Sequence, residues 1–217
     1  MQRLLQTAEA DRLVVAVGRL PGRRAVNPLF SFFCSTDPKI RWRAITAMGA
    51  VVAGLAETDM ESARIVMRRL MWTLNDESGG IGWGAPEAMG ETMARHPRLA
   101  EEYASILTSY VRPAGNFIEH PELQKGVLWG LGRLAHVDPE PLRDAASLLG
   151  PFLRADHATT RGLAAWTAAA LPSKATRRLI ERLLGDPSPL ILYRAGQFVD
   201  CTVSQLAAAA LMTSRTA

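Results

Sequence analysis

Arg64, Arg68 and Trp72 stand four residues apart, a spacing that sets two guanidiniums and an indole on one face of a helix. Arginine beside an aromatic ring is the composition of protein-binding hot spots and of surfaces that stack nucleic-acid bases. These three are candidate partner contacts. The plainer alternative is a solvated arginine face with the indole tucked at the helix end. Just beyond lies Asn75 to Pro86, in which Gly79, Gly80, Gly82 and Gly84 surround Trp83. A glycine-rich loop ahead of a helix can cradle phosphate on its backbone N–H groups. Here no lysine follows as in GxxxxGK, no strand pattern precedes, and Asp76, Glu77, Glu87 and Glu91 make the surroundings acidic. Glu87, one residue after Pro86, already complements the positive end of a helix starting there. Two readings remain: a tight turn that seats Trp83, or a contact loop for a protein or a small cationic ligand. The second adds Gly80, Gly82, Trp83 and Glu87 to the candidate partner contacts.

The remaining reactive residues point away from catalysis. Glu87 and Glu91, at i and i+4, share a helix face and could hold a metal or exchange protons. Only His96 falls near them, at the helix end, so a solvated face is expected. His96, His120, His136 and His157 form no HxxxH or HExxH and sit where helices end, which suits capping and loop hydrogen bonds. No GxSxG elbow occurs. Cys34 and Cys201 match no CxxC spacing and are expected to be small buried apolar residues. No catalytic, cofactor-binding or metal-binding residue is assigned, and no cofactor is expected.

The chain that must position these residues has 217 of them, 48% hydrophobic and 21% charged, the balance of an ordinary folded domain. Its net charge of +4 is unevenly spread. Residues 1–74 hold 11 Lys and Arg against 6 Asp and Glu, residues 75–122 hold 3 against 8, and residues 123–217 hold 11 against 7. A continuous nucleic-acid groove would prefer one sign throughout. No run approaches the ~18 apolar residues of a membrane helix, and the opening segment carries acids early and lacks a signal-peptide core. A cytoplasmic protein with no membrane partner is expected.

A repeat organises the chain. Asp37 to Gly49 offers Asp-Pro as a helix start, Arg41, apolar Ile45 and Met48, and small Ala44, Ala47 and Gly49. Related strings end at Gly90 and Gly132, 41 and 42 residues further on, and a weaker one at Ala169. A fifth is expected to begin at Asp186-Pro187. Periods near 40 belong to two-helix solenoid repeats. Small residues at one register let backbones approach, which offsets the ~1 kcal/mol that helical glycine costs relative to alanine. After breaks at Thr58-Asp59, His96-Pro97, Asp138-Pro139 and Pro172-Ser173, second helices are expected over about 61–74, 99–111, 141–153 and 174–184. In the first of them Ile65, Val66, Leu70 and Leu74 form the apolar stripe. Trp42, Trp83, Trp129 and Trp166 follow the register of the first helices, which favours a packing role. No strand alternation is evident.

The string from Asp37 to Gly49, at Asp37, Arg41, Ala44, Ala47 and Gly49, resembles the HEAT-like repeat, including the short bacterial form first named from phycobilisome lyases. The resemblance covers roughly residues 11–210 and fades toward both ends, as capping repeats should. It implies an all-α, right-handed α-solenoid of about five two-helix repeats in one domain, with units near 11–36, 37–76, 77–115, 116–156, 157–185 and 186–212. It also implies that the helix carrying Arg64, Arg68 and Trp72 faces the concave side. Gly79 to Glu91 resembles a string in a bacterial HEAT-like group with no assigned activity, so no functional residue carries over.

HEAT arrays offer curved surfaces and no intrinsic chemistry, so the expected function is a non-catalytic scaffold or adaptor with a protein partner. The alternative is a DNA-binding protein or a HEAT-like alkylpurine DNA glycosylase, which shares the size, basic charge and tryptophans. Such an enzyme needs an acid beside aromatics on a basic face, and Asp76 near Trp72 is the pairing on offer. HEAT-type di-iron hydroxylases carry His-Glu dyads, and no His-Glu dipeptide occurs here. A cofactor lyase or chaperone is suggested by the family name alone.

Overall fold

A computed structural model describes residues 1–7, 10–75 and 82–213. The chain divides into two compact units, Met1–Tyr103 with Ala195–Gln197, and Ala104–Arg194 with Phe198–Ala217.

Within Met1–Tyr103 every regular element among the described residues is a helix. This first unit comprises α1 (Gln2–Thr7), α2 (Ala10–Gly18), α3 (Gly22–Phe32), α4 (Pro38–Thr58), α5 (Met60–Leu74), α6 (Ala85–Met93) and the start of α7 (Pro97–Ser109). The Asp37 carboxylate accepts from the Lys39 N–H at 2.8 Å, and Pro38 presets the first turn of α4. A second aspartate both ends α4 and starts α5: Asp59 has non-helical backbone angles, and its carboxylate accepts from the Ser62 N–H at 3.1 Å. α4 is buried at Ala44, Ile45, Ala47, Met48, Val51 and Val52 and packs against α2, α3, α5 and α6, the last buried along almost its whole length. Each large apolar side chain removed from water there contributes about 1.5–3 kcal/mol. Gly49 makes the approach possible. A Cβ at that position would lie 2.5 Å from Glu91 Cγ and 3.0 Å from the Glu91 carbonyl carbon. Arg43, also buried, gives its Nη1 to the Leu5 and Gln6 carbonyls at 2.9 Å, satisfying the open end of α1.

The second unit holds the rest of α7, then α8 (Pro121–Ala135), 3-10 segments over Glu140–Leu149 and Phe152–Arg154, α9 (Ala158–Ala170) and α10 (Lys174–Arg182). It closes with β1 (Pro189–Arg194), β2 (Gln197–Thr202) and α11 (Val203–Thr213). Gly132 of α8 plays the part of Gly49. A Cβ there would lie 2.5 Å from Trp166 Cζ3 and 2.8 Å from Thr167 Oγ1 of α9. Trp129 and Trp166 are buried with ring centroids 6.2 Å apart, and His136 stacks on Trp166 at 4.8 Å. The Thr167 hydroxyl donates to backbone carbonyls of Leu128 or Leu163, at 3.0 and 2.9 Å.

Two expectations need correction here. The segment from 141 to 153 is 3-10 rather than α, and it is interrupted at Pro151, whose nitrogen cannot donate to an α-helical ladder. Asp186-Pro187 does not open a helix. Its carboxylate instead accepts from the Ser188 N–H at 3.0 Å and pairs with Arg161 at 2.7 Å, and a two-stranded hairpin follows. Ala195 and Gly196 both have positive φ, 49° and 79°, the geometry of a two-residue hairpin turn whose twist suits the flanking strands. Leu190, Leu192 and Tyr193 of β1 are buried. Trp129 Nε1 donates to the Tyr193 carbonyl at 2.7 Å, and the bare face of Gly162 admits Leu190, whose Cδ1 would lie 2.5 Å from a Cβ. No helix among the described residues is long and apolar enough to cross a membrane.

Candidate functional site

On α5 the positions 61, 65, 68 and 72 recur at helical spacing, so Glu61, Ile65, Arg68 and Trp72 share its outward side. Beneath them Ala63, Val66, Met67 and Leu70 are buried. The sequence spacing puts Ile65 in an apolar stripe with Val66, Leu70 and Leu74. It instead lies 54% exposed, because it sits about 100° around the helix from Val66. Trp72 is 76% exposed, so its indole is offered to solvent and is not tucked away.

Ion pairs fix the arginines of this face. Arg68 Nη2 meets Glu61 Oε1 at 2.6 Å. Arg64 makes a two-pronged contact with Glu102 of α7, Nε to Oε2 at 2.8 Å and Nη2 to Oε1 at 2.6 Å. Its Nη1 lies 3.6 Å from Glu61 Oε2, and Arg98 Nε approaches Glu102 Oε1 at 3.5 Å. The fork of Arg64 holds the Glu102 carboxyl below the usual carboxylate range, and Arg68 does the same for Glu61. Both guanidiniums are driven further toward the charged form by those carboxylates. Tyr103 lies buried alongside, its phenol pushed up by loss of water. Three guanidiniums thus face two carboxylates, which leaves one positive charge uncompensated in the cluster. The sequence does not reveal Glu102 as the partner, since it lies 38 residues from Arg64.

The described end of the glycine segment, from Gly82 onward, meets the C-terminal end of α5. Gly82 packs on the last turn of α5, where a Cβ would lie 2.8 Å from both Leu74 Cδ2 and the Thr73 carbonyl oxygen. Gly84 has φ of 74°, a left-handed conformation that favours glycine, and a Cβ would lie 3.0 Å from Phe33 Cγ. Trp83 between them is half-buried. Gly80, with Asp76, lies outside the described residues. Gly82, Gly84, Ala85 and Pro86 are all buried, so the start of α6 is closed to a phosphate group. Glu87 is half-buried on the first turn of α6. The solvated face expected for Glu87 and Glu91 is not what the fold provides. Glu91 is only 4% exposed, and Arg95 clamps its Oε1 from Nε at 2.8 Å and Nη2 at 2.6 Å. The cysteine expectation also fails, for Cys34 is exposed and Cys201 only half-buried.

A neighbouring feature escaped the sequence. α3 lies beside α5, and Arg23, Asn27 and Phe30 face it at helical spacing. Arg23 donates to Ser62 Oγ at 3.0 Å and to Asp59 Oδ2 at 2.6 Å. Arg69 donates to Asn27 Oδ1 and lies 4.0 Å above the Phe30 ring. Between these helices runs a groove of about 300 Å³, lined by Val26, Leu55, Ile65 and Val66 with Arg23, Asn27 and Arg69 on its edges.

Comparison with known proteins agrees with the fold. Residues 121–167, which span α8 to most of α9, match the family described as HEAT-like repeat. An uncharacterised protein of Archaeoglobus fulgidus is 31% identical over 123 residues, 55% of this chain and 56% of that protein, so the match spans about half of each. An engineered protein of known structure superposes with a TM-score of 0.56 at 15% identity, covering 99% of this chain and 96% of its own. A designed armadillo repeat protein in complex with the peptide (KR)4 gives 0.54 at 14% identity, covering 98% and 97%. Armadillo repeat proteins designed for modular peptide recognition give 0.52 at 16%, covering 98% and 90%. At these identities the likeness is one of fold.

Proposed function

From a chain that carries a HEAT-like repeat and shares the fold of armadillo-type repeat proteins, we infer a non-catalytic interaction scaffold that binds a protein partner through the outward face of α5. Trp72 carries this reading. A tryptophan 76% exposed on a packed helix costs solvation free energy unless a partner covers it, and the ion pairs beside it are already set in position. Side chains fixed before binding lose less conformational entropy on association. The likeness of fold to a designed armadillo repeat protein in complex with the peptide (KR)4 supports a protein or peptide partner. The Gly82 to Glu87 segment is a secondary edge of the same surface.

The DNA-binding alternative gains nothing from this geometry. Arg64 and Arg68 already hold carboxylates, which a phosphate would have to displace. Affinity capture with the wild-type chain and with a Trp72→Ala, Arg68→Ala variant tests the scaffold reading, run beside a titration with duplex DNA at ~50 and ~200 mM salt. The expected result is a protein retained by the wild type and lost by the variant. Capture unchanged by the substitutions would overturn the reading. So would DNA binding that falls steeply with salt, the mark of counterion release.

A further inference from the structure

We propose that the groove between α3 and α5 binds a short acidic peptide segment, seating an apolar side chain on Val26, Leu55 and Val66 and pairing a carboxylate with Arg69. The inference rests on the reading of α5 as a contact face, and it names the partner's chemistry.

Three observations converge on this occupant. The groove measures about 300 Å³, the lower end of ligand pockets, so it suits one side chain with flanking backbone and not a larger molecule. Its floor and one wall are apolar, and Ile65 on that wall is exposed, which marks a surface left uncovered by the fold itself. Its charged edge has one sign. Arg23 has spent its charge on Asp59, but Arg69 contacts only the neutral Asn27 amide and the Phe30 ring among the described residues. Exposed Arg24 adds to the field, and residues 1–74 hold 11 cationic against 6 anionic side chains. A cationic peptide would meet repulsion here, whereas a carboxylate would complete Arg69. The Phe30 ring and Asn27 hold the guanidinium in place for it.

Spacing adds a constraint. Ile65 and Arg69 are one turn apart, about 6 Å along the helix axis. An extended ligand advances ~3.3 Å per residue and returns a side chain to the same side every second residue. The favoured ligand is therefore an apolar residue with Asp or Glu two positions away.

Selection of a random dodecapeptide display library on the full chain tests this, with the enriched peptides titrated against four variants whose folding is checked by circular dichroism. The expected outcome is enrichment of an apolar residue with an acid two positions off. Binding should weaken at least about tenfold in Ile65→Asp and in Arg69→Glu, within the range of hot-spot losses. Arg69→Met, which keeps an unbranched stem on Phe30 without the charge, should lose affinity as well, while the fourth variant, Leu184→Ala at an exposed position of the other unit, retains it. Enrichment of basic peptides overturns the proposal, as does a selection that enriches nothing. Peptides that bind but ignore Ile65 and Arg69 overturn the groove assignment while leaving the α5 face standing.

Discussion

Gly132 and Gly54 are both helical glycines, yet replacing each with alanine should move stability in opposite directions. At Gly132 a Cβ would lie 2.5 and 2.6 Å from Trp166 Cζ3 and Cε3, and 2.8 Å from Thr167 Oγ1. None of these atoms is the free end of a flexible side chain. His136 stacks on Trp166, and its Nε2 donates to the Trp166 carbonyl at 3.0 Å, while the Thr167 hydroxyl is committed to backbone carbonyls. Overpacking of this kind costs about 1–3 kcal/mol and more where little can move. Alanine recovers about 1 kcal/mol of helix propensity. With Trp166 and Thr167 both held in place, the cost falls at about 2–3 kcal/mol, so the net loss is about 1–2 kcal/mol, which for a chain of this size lowers the unfolding midpoint by roughly 2–8 °C. Around Gly54 of α4 a Cβ would meet nothing within 4 Å. There only the propensity gain remains, so the midpoint should rise by roughly 2–4 °C. Thermal unfolding of both variants followed by circular dichroism decides the matter. A Gly132→Ala chain as stable as the wild type would refute the idea that a bare backbone is what lets α8 and α9 meet. Shifts of the same sign at both sites would refute it too.

Further outcomes follow from burial and charge. His136 is held below its ordinary value by burial, with the Trp166 carbonyl only partly offsetting this, so the unfolded chain takes up a proton more readily than the folded one. That contribution to stability is complete above about pH 6.5 and is lost as pH falls below it, and His136→Gln should flatten the slope in this window. Asp59 is held down to about 2 by the Ser62 hydroxyl and N–H and then by Arg23, so its contribution is present above about pH 4 and is lost between there and pH 2. Asp59→Asn keeps the cap geometry and should remove that acid-dependent step, read by urea unfolding across the range. Trp72→Ala should leave stability within about 0.5 kcal/mol of wild type, since the indole is exposed, while abolishing partner capture.

The fold was legible because backbone approach demands small residues wherever helices cross closely. Gly49 and Gly132 stand at the repeat register and make the close contacts that the pattern implied. Trp129 and Trp166 follow the same register into the core, whereas Trp42 and Trp83 are half-buried. The hairpin was missed because Asp186-Pro187 imitates a helix start, while its real signals are local: the aliphatic and aromatic run from Leu190 to Tyr193, the Ala195-Gly196 turn, and Phe198-Val199 beyond. The α5 face was legible as residue types at a spacing. Its charge state was not, because Glu102 reaches Arg64 from another helix. The groove was invisible for the same reason, since Asn27 and Phe30 come to Arg69 from about 40 positions away. Ile65 is exposed because it stands about 100° around α5 from Val66, on the side it shares with Arg68 and Trp72.

Photo-crosslinking from position 72 in living cells is the most direct measurement of whether this face is the contact surface. A photoreactive phenylalanine analogue replaces Trp72 in one chain, and Leu184, an exposed residue of the other unit, in a control. The expected result is a discrete protein adduct from position 72, with none from position 184. Adducts from position 184 alone, or nucleic acid joined at position 72, would contradict it.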